Sequence, residues 1–361
     1  MHDKEEIVRN ISNHYSSKIM KAFGNIESAS KALEIIAKSL KEIYRYFEPS
    51  FFNGNFIVCK NLDDKPCVDE SKGSILYDKN ILLNRTDGLI IIQAFNDSSK
   101  MLMWEDQDYD AILKQKDTLT YFFSNNKESF FANGEKIEIT IYNKGSRFAT
   151  QYNDLVDALT LYSTTKIYSS SCKHFSDSWA DPNRIFFQGG GSGSNIPEMF
   201  MQLSLHEFLS TYMIRGVTME SAREYNVMGD FSKPKPVDVK IHWREANRTA
   251  LIEVKFIGTI KKNSDGEIYE YKEDKVNKGM FQLHGYHNKA LSDTPMTIIK
   301  SYLVVIDGRR KDLRKDLSSI SHANGIHYKN IEINIEPDKK YYETIQGFEK
   351  PIKMFAAPIC S

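Results

Sequence analysis

The sequence predicts a mixed α/β protein: an N-terminal α+β domain followed by a C-terminal core in which helices flank a central mixed sheet. Three observations carry that expectation. Apolar residues recur at helical spacing over residues 4–47, 197–215 and 275–291. Short apolar or alternating runs of strand length lie between them, separated in the first half by turn-forming pairs such as Asn53-Gly54, Asp87-Gly88 and Asn133-Gly134. The order then changes, from consecutive strands in the first half to helices and strands that take turns in the second.

Composition sets the outer limits. With 361 residues the chain is long enough for two domains, each with its own core. Its 41% hydrophobic and 27% charged residues are those of an ordinary globular protein. Apolar runs such as Leu89–Ile92 are far too short to span a bilayer, and the acidic start lacks the basic and apolar regions of a signal peptide. A cytoplasmic protein with no membrane contact is expected. Basic and acidic residues balance at 48 each, so any nucleic-acid contact must come from a local patch. The four cysteines, at 59, 67, 172 and 360, form no C-x-x-C pair, which predicts free thiols rather than zinc ligands or disulfides.

In chain order, Ile7, Ile11 and Ile19–Met20 mark a first helix. Leu33, Ile36, Leu40, Ile43 and Phe47 mark a second, with a break at Gly24-Asn25 and Ser28 as the expected cap. Such a stripe suits core packing or a dimer contact. Strands are expected at Asn55–Lys60, Gly88–Phe95, Met101–Trp104, Leu119–Phe123, Ser129–Ala132 and Lys136–Tyr142, then a short helix at Asn153–Tyr162. Residues 1–167 make up this first domain, whose role stays open among sensing, recognition and oligomerisation. Residues 168–195, which include Gly189-Gly-Gly-Ser-Gly-Ser194, read as a linker or loop; no Gly-Lys-Ser/Thr follows, so a phosphate-binding loop is not indicated. Residues 196–335 form the second domain, with a last strand at Tyr328–Ile335, and residues 336–361 a tail.

The chemistry concentrates between Pro236 and Ile257. Val237–Trp243 alternates polar and apolar residues, Arg244–Arg248 is polar, and Thr249–Ile257 is mostly apolar, the pattern of two strands joined by a short turn. Alternate residues of a strand share a face, which puts Glu253 with Lys255, and Asp238 with Lys240, leaving Ile252, Val254 and Phe256 for the core. A turn centred near Ala246 sets Asp238 across from Glu253–Lys255 in an antiparallel pair. Two hard oxygen ligands so placed suit Mg²⁺, which lowers the pKa of a bound water and neutralises charge on a phosphate under attack. The ammonium beside them suits orienting that water.

Asp238, followed after fourteen intervening residues by Glu253-Val254-Lys255 inside an apolar strand, resembles the PD-(D/E)xK nuclease superfamily. Val237 separates Pro236 from Asp238, so the first pair of the motif is not literal. Three other acid-x-Lys triplets, starting at Glu270, Glu273 and Asp338, lack the surrounding strand. The resemblance implies a restriction-endonuclease-like core, built in the order helix, hairpin, helix, strand, and metal-dependent hydrolysis of DNA with Mg²⁺, or Mn²⁺, as cofactor. It makes Asp238, Glu253 and the Val254 carbonyl metal ligands and Lys255 the helper of the attacking water. Glu207, on the preceding helix, is the candidate for a further ligand. Gln282 and Tyr286, four apart on one helix face, resemble the Q-x-x-x-Y element of the RecB-like branch, which flanks the metal and contacts DNA. Arg309, Arg310, Lys311, Arg314 and Lys315, the densest basic cluster, are expected to contact the phosphate backbone. A nuclease domain joined to an unidentified one resembles restriction enzymes and bacterial anti-phage effectors, acting as a homodimer or with a partner protein of a defence system. Cleavage of RNA by the same residues, or a non-catalytic binding module, are the alternatives.

Overall fold

A computed structural model describes residues 18–44, 46–78, 81–82, 87–104, 109–125, 127–137, 151–189, 196–212, 219–222, 225–227, 235–243 and 247–361. Several expected features lie outside the described residues: Ile7 and Ile11, residues 138–142, the glycine and serine tract over 190–195, residues 213–215, and the turn at 244–246. The chain is mixed α/β and divides into two compact units, Met1–Thr150 with Glu245–Asn247, and Gln151–Arg244 with Arg248–Ser361. Among the described residues no helix is long and apolar enough to cross a membrane.

In the first unit, helix α1 (Ile26–Ile43) starts at Asn25, whose side-chain oxygen accepts from the N–H groups of Glu27 and Ser28 at 3.1 and 3.2 Å. Asn25 rather than Ser28 is therefore the cap, because it stands at the residue whose backbone is still extended. The unit's strands are β1 (Asn55–Asn61), β2 (Gly73–Ile75), β3 (Leu89–Ala94), β4 (Ser99–Trp104), β5 (Thr118–Ser124), β6 (Lys127–Ala132) and β7 (Glu135–Ile137). They form one sheet in the order β2-β4-β3-β1-β5-β6-β7, with β1 parallel to β3 and every other neighbour antiparallel. Central β1 is buried on both faces: Phe56 and Val58 join the α1 stripe of Leu33, Ile36, Leu40 and Ile43, while Ile57 and Cys59 pack with Leu102 and Trp104. The stripe is thus core. Both cores explain why β1 and β3 read as continuous apolar runs.

The second unit contains α2 (Gln151–Tyr162), β8 (Phe187–Gly189), α3 (Ile196–Tyr212), β9 (Met219–Ala222), β10 (Tyr225–Val227), β11 (Lys235–Val237), β12 (Val239–Trp243), β13 (Arg248–Lys262), β14 (Ile268–Tyr271), α4 (Asp274–Asp293), β15 (Ile298–Gly308) and β16 (Ile352–Phe355). Its main sheet runs β16-β15-β13-β12-β9, and β14 and β8 join the far end of β13. Strands β13, β15 and β16 are parallel, and β12 is antiparallel to β13 with Val239 opposite Ile252, which sets Asp238 opposite Glu253 as expected. Both faces of β13 are buried, so Glu253 and Lys255 lie not on an open face but beneath α4, flanked by Leu251 and Ile257.

Three boundaries differ from the sequence reading. The helix expected at the end of the first domain, α2, belongs to the second unit. Residues 168–189 are not a linker: Trp179 lies 3.8 Å from Phe187 between ring centroids, its Nε1 donates to Ser170 Oγ at 2.9 Å, and β8 pairs with β13. Serines there cap backbone and indole groups while the aromatics between them supply a core. Tyr328–Ile335, despite its alternation, forms no strand. Lys353 Nζ donates to the carbonyls of Tyr328 and Ile331, both at 2.6 Å, and the edge position beside β15 goes to β16 from the supposed tail.

Candidate functional site

Strand β13 spans fifteen residues and changes neighbours along one edge. It pairs with β12 up to Ile252 and with β14 from Gly258 onward, so among the described residues that edge has no strand partner from Glu253 to Ile257. Gly258 permits the switch: its φ is 145°, and a side chain there would lie 2.8 Å from the Gly308 carbonyl carbon on β15. Buried backbone N–H groups need acceptors. Across the gap they find acidic side chains: Val254 N–H donates to Asp238 Oδ2 at 2.7 Å, and Phe256 N–H reaches Glu198 Oε1 at 3.5 Å. Asp238 itself sits at the break between β11 and β12, where its carboxylate replaces a strand carbonyl. Its other oxygen accepts from Gln202 Nε2 at 2.6 Å.

Lys255 reaches along the same face to an ion pair with Glu253 Oε1 and lies 4.0 Å from Glu198 Oε2. The second Glu253 oxygen, Oε2, is buried with no hydrogen-bond partner among the described residues. Burial and then the neighbouring Asp238 push the Glu253 carboxyl up to about 8, against the pull of Lys255. Burial likewise raises Asp238 to about 6, although Lys255 and the Val254 N–H oppose it. Burial acts to lower Lys255, but Glu253, Glu198 and Asp238 together outweigh it and hold the ammonium above the usual lysine value. One cation is shared among three carboxylates, so it stays charged while they remain under-compensated.

Helix α4 closes the site from above. Tyr286 is buried, and its phenol is raised by burial and then by the charges of Glu253 and Asp238. Gln282, one turn earlier, lines a cavity of about 670 Å³ together with Glu198 and Lys255. Gly279 lets the helix approach this closely: an added Cβ would meet Lys255 Cγ at 2.7 Å and Leu303 Cδ1 at 3.0 Å. The glycine that weakens the helical pattern in the sequence is what lets α4 lie over the lysine stem.

The structure therefore brings together Asp238, Glu253, Val254, Lys255, Gln282 and Tyr286. It does not bring Glu207. That side chain is largely exposed and lies 3.5 Å from His174 Nε2, whereas the acid facing the site is Glu198. Nine residues separate them, two and a half helical turns, which puts them on opposite faces of α3. Glu198 and Gln202, spaced by four, both reach the site from one face of α3, a face that the sequence pattern does not mark. The basic cluster is divided as well. Arg309 grips Asp307 through Nε and a terminal nitrogen (3.0 and 2.8 Å) and reaches Glu273 at 2.8 Å. Arg310 is buried, donates to the carbonyls of Arg309 and Ala356, and is lowered by burial to about 10. Lys311, Arg314 and Lys315 are exposed, Lys315 in a 3.0 Å pair with Glu267.

Among the described residues no three acidic, histidine or cysteine side chains form a ready-made metal cage. No family model, curated protein or solved structure matches the chain.

Two outcomes follow from this packing and these charges. Because the Glu253 carboxyl stands above its ordinary 4.5, its contribution to stability is complete below that value and is lost as the pH rises through about 8. In a metal-free buffer Glu253→Gln should melt above wild type at alkaline pH, with the gap closing toward pH 4.5. A variant whose advantage does not change with pH contradicts this. Gly279→Ala, which in an open helix stabilises by about 1 kcal/mol, should instead destabilise by about 1–3 kcal/mol in urea unfolding, because the methyl group overpacks Lys255.

Proposed function

We propose that the second unit is a nuclease that hydrolyses phosphodiester bonds of DNA with Mg²⁺ or Mn²⁺. The observation that carries this reading is Glu253 Oε2, without a hydrogen-bond partner among the described residues and buried beside Asp238 and Glu198. An acid so placed costs stability unless a cation answers it. The donor set fits Mg²⁺, which prefers hard oxygens and keeps waters, so that one or two carboxylates suffice. Asp238 and Glu253 would hold the ion. Glu198 takes the part expected of Glu207, and Val254, whose N–H points into the gap, presents its carbonyl to the same edge. When bound, such an ion supplies an activated water and neutralises phosphate charge.

The remaining groups are assigned by their place in the site. Lys255, held as an ammonium, donates to the attacking water or to the phosphate oxygen that gains charge. Gln202 and the Val254 N–H fix the Asp238 carboxylate in one orientation. Tyr286 stays a neutral phenol, a hydrogen-bond donor that adds no charge, and Gln282 faces the cavity where a substrate would enter. The arrangement of α3, the β12–β13 hairpin, α4 and β15 supports a restriction-endonuclease-like core. For the biological setting we favour restriction or anti-phage defence, with the first unit as the sensing or recognising part.

The test is cleavage of circular and linear DNA, and of RNA, in Mg²⁺, Mn²⁺ or EDTA. Wild type should cut DNA only with the metal, and Lys255→Ala, Glu253→Gln and Glu198→Gln should each lose about 100-fold or more in rate, whereas Glu207→Gln keeps it. Mn²⁺ should raise the melting temperature of wild type at pH 8 but not that of Asp238→Asn. Cleavage in EDTA, or an undiminished Lys255→Ala enzyme, would refute the assignment.

A further inference from the structure

The cavity beside Lys255 opens between α4 and the turn at Pro337–Lys339, and its mouth pairs aromatic rings with lysines. Phe281 lines the cavity, is 61% exposed, and has Lys339 Nζ 5.8 Å from its ring centroid. One turn earlier on α4 is Lys278, and Lys275 lies a further turn back with its Nζ 4.8 Å from the centre of the Tyr271 ring. A phenylalanine at the rim of a polar cleft leaves most of its ring to solvent. A flat apolar ring next to ammonium groups is suited to a partner that has both a π-face and a negative charge.

We propose that this mouth binds a single-stranded stretch of nucleic acid, one base stacking on Phe281 while neighbouring phosphates lie against Lys275, Lys278 and Lys339. The proposal rests on the nuclease reading for the fate of the bound strand, and not for the binding. Duplex DNA presents its bases edge-on within the grooves and offers no free face to a ring, whereas an unpaired base does. The lysines can be recruited: Lys278 pairs with exposed Asp274 at 3.1 Å and Lys339 with exposed Asp338 at 2.6 Å, and such surface pairs are weak enough for a phosphate to displace. Geometry also gives the strand a direction inward. Lys275, Gln282 and Tyr286, at spacings of seven and four, follow one edge of α4 from the mouth toward Glu253, so a backbone laid along the lysines leads a phosphate to the acids. Arg309 and Arg310 are turned inward, whereas these lysines line the cavity.

The experiment separates binding from cleavage by measuring the anisotropy of a fluorescein-labelled oligo(dT) in EDTA, beside the same strand annealed to oligo(dA). Wild type should bind the single strand more tightly than the duplex, Phe281→Ala should weaken that binding about tenfold, and Phe281→Trp should retain it. Lys278→Ala and Lys339→Ala should each reduce the dependence of log affinity on log salt by about 0.7. Phe281 is exposed, so an unchanged melting temperature for Phe281→Ala shows that the variant is folded. Binding by Phe281→Ala equal to wild type, or duplex bound as tightly as the single strand, overturns the proposal. If Glu253→Gln and wild type bind alike and neither cuts any strand in Mg²⁺ or Mn²⁺, the binding assignment stands and the nuclease reading falls.

Discussion

The second unit depends on a gap in backbone pairing. Central strand β13 is buried on both faces, yet over Glu253–Ile257 one of its edges meets no strand among the described residues. Leaving buried amides without acceptors there would cost about 1–3 kcal/mol each. Asp238 and Glu198 complete the hydrogen bonding with side-chain oxygens, and so two carboxylates are fixed at a place in the sheet where the strand ladder is interrupted. Architecture and candidate chemistry share these atoms. The Val254 N–H that Asp238 stabilises in turn favours its charged form against the burial that disfavours it.

Electrostatics then distinguish this cluster from the other buried charges of the unit. Around Asp307 the account closes: Arg309 spans both its oxygens and continues to Glu273, the residue that starts α4, and Lys353 adds a contact at 3.1 Å. That network ties the end of β15 to the start of α4 and leaves no acid in deficit. At Glu253 the account stays open, with one ammonium for three carboxylates and an oxygen without a hydrogen-bond partner among the described residues. Buried charge that is balanced reads as structure. Buried charge that is not balanced, beside a cavity, points to a missing ligand.

Much of this was legible in the residues. The pairing of Asp238 with Glu253 followed from strand alternation and a short turn, because antiparallel register across a tight hairpin leaves little freedom. Gln282 and Tyr286 were legible from their spacing on a helix whose apolar side is well defined. Glu198 was not, because α3 is apolar over most of its circumference, and two glutamates on such a helix give no clue to which face meets the sheet. Arg309 and Arg310 misled for a different reason. Their partners Asp307 and Glu273 are set by the topology, and a run of basic residues reads as surface until the buried aspartate beside it is seen. Tyr328–Ile335 carries strand alternation, but the place beside β15 is taken by β16.

Helix α4 shows how one element can serve three environments. Val276, Met280, Leu283 and Ala290 face the sheet core, Gln282 and Tyr286 run along its border above the acids, and Lys278 with Phe281 face outward. Spacings of three, four and seven keep each set aligned, so a rotation of the helix would move all three together. Gly279 lies where the core face meets the border and fixes the depth at which the helix seats on Lys255. The lysine stem is therefore both a packing surface and the arm that carries the ammonium. A change in the seating of α4 would shift the charge relative to Glu253 as well as the cavity through which a strand would reach it.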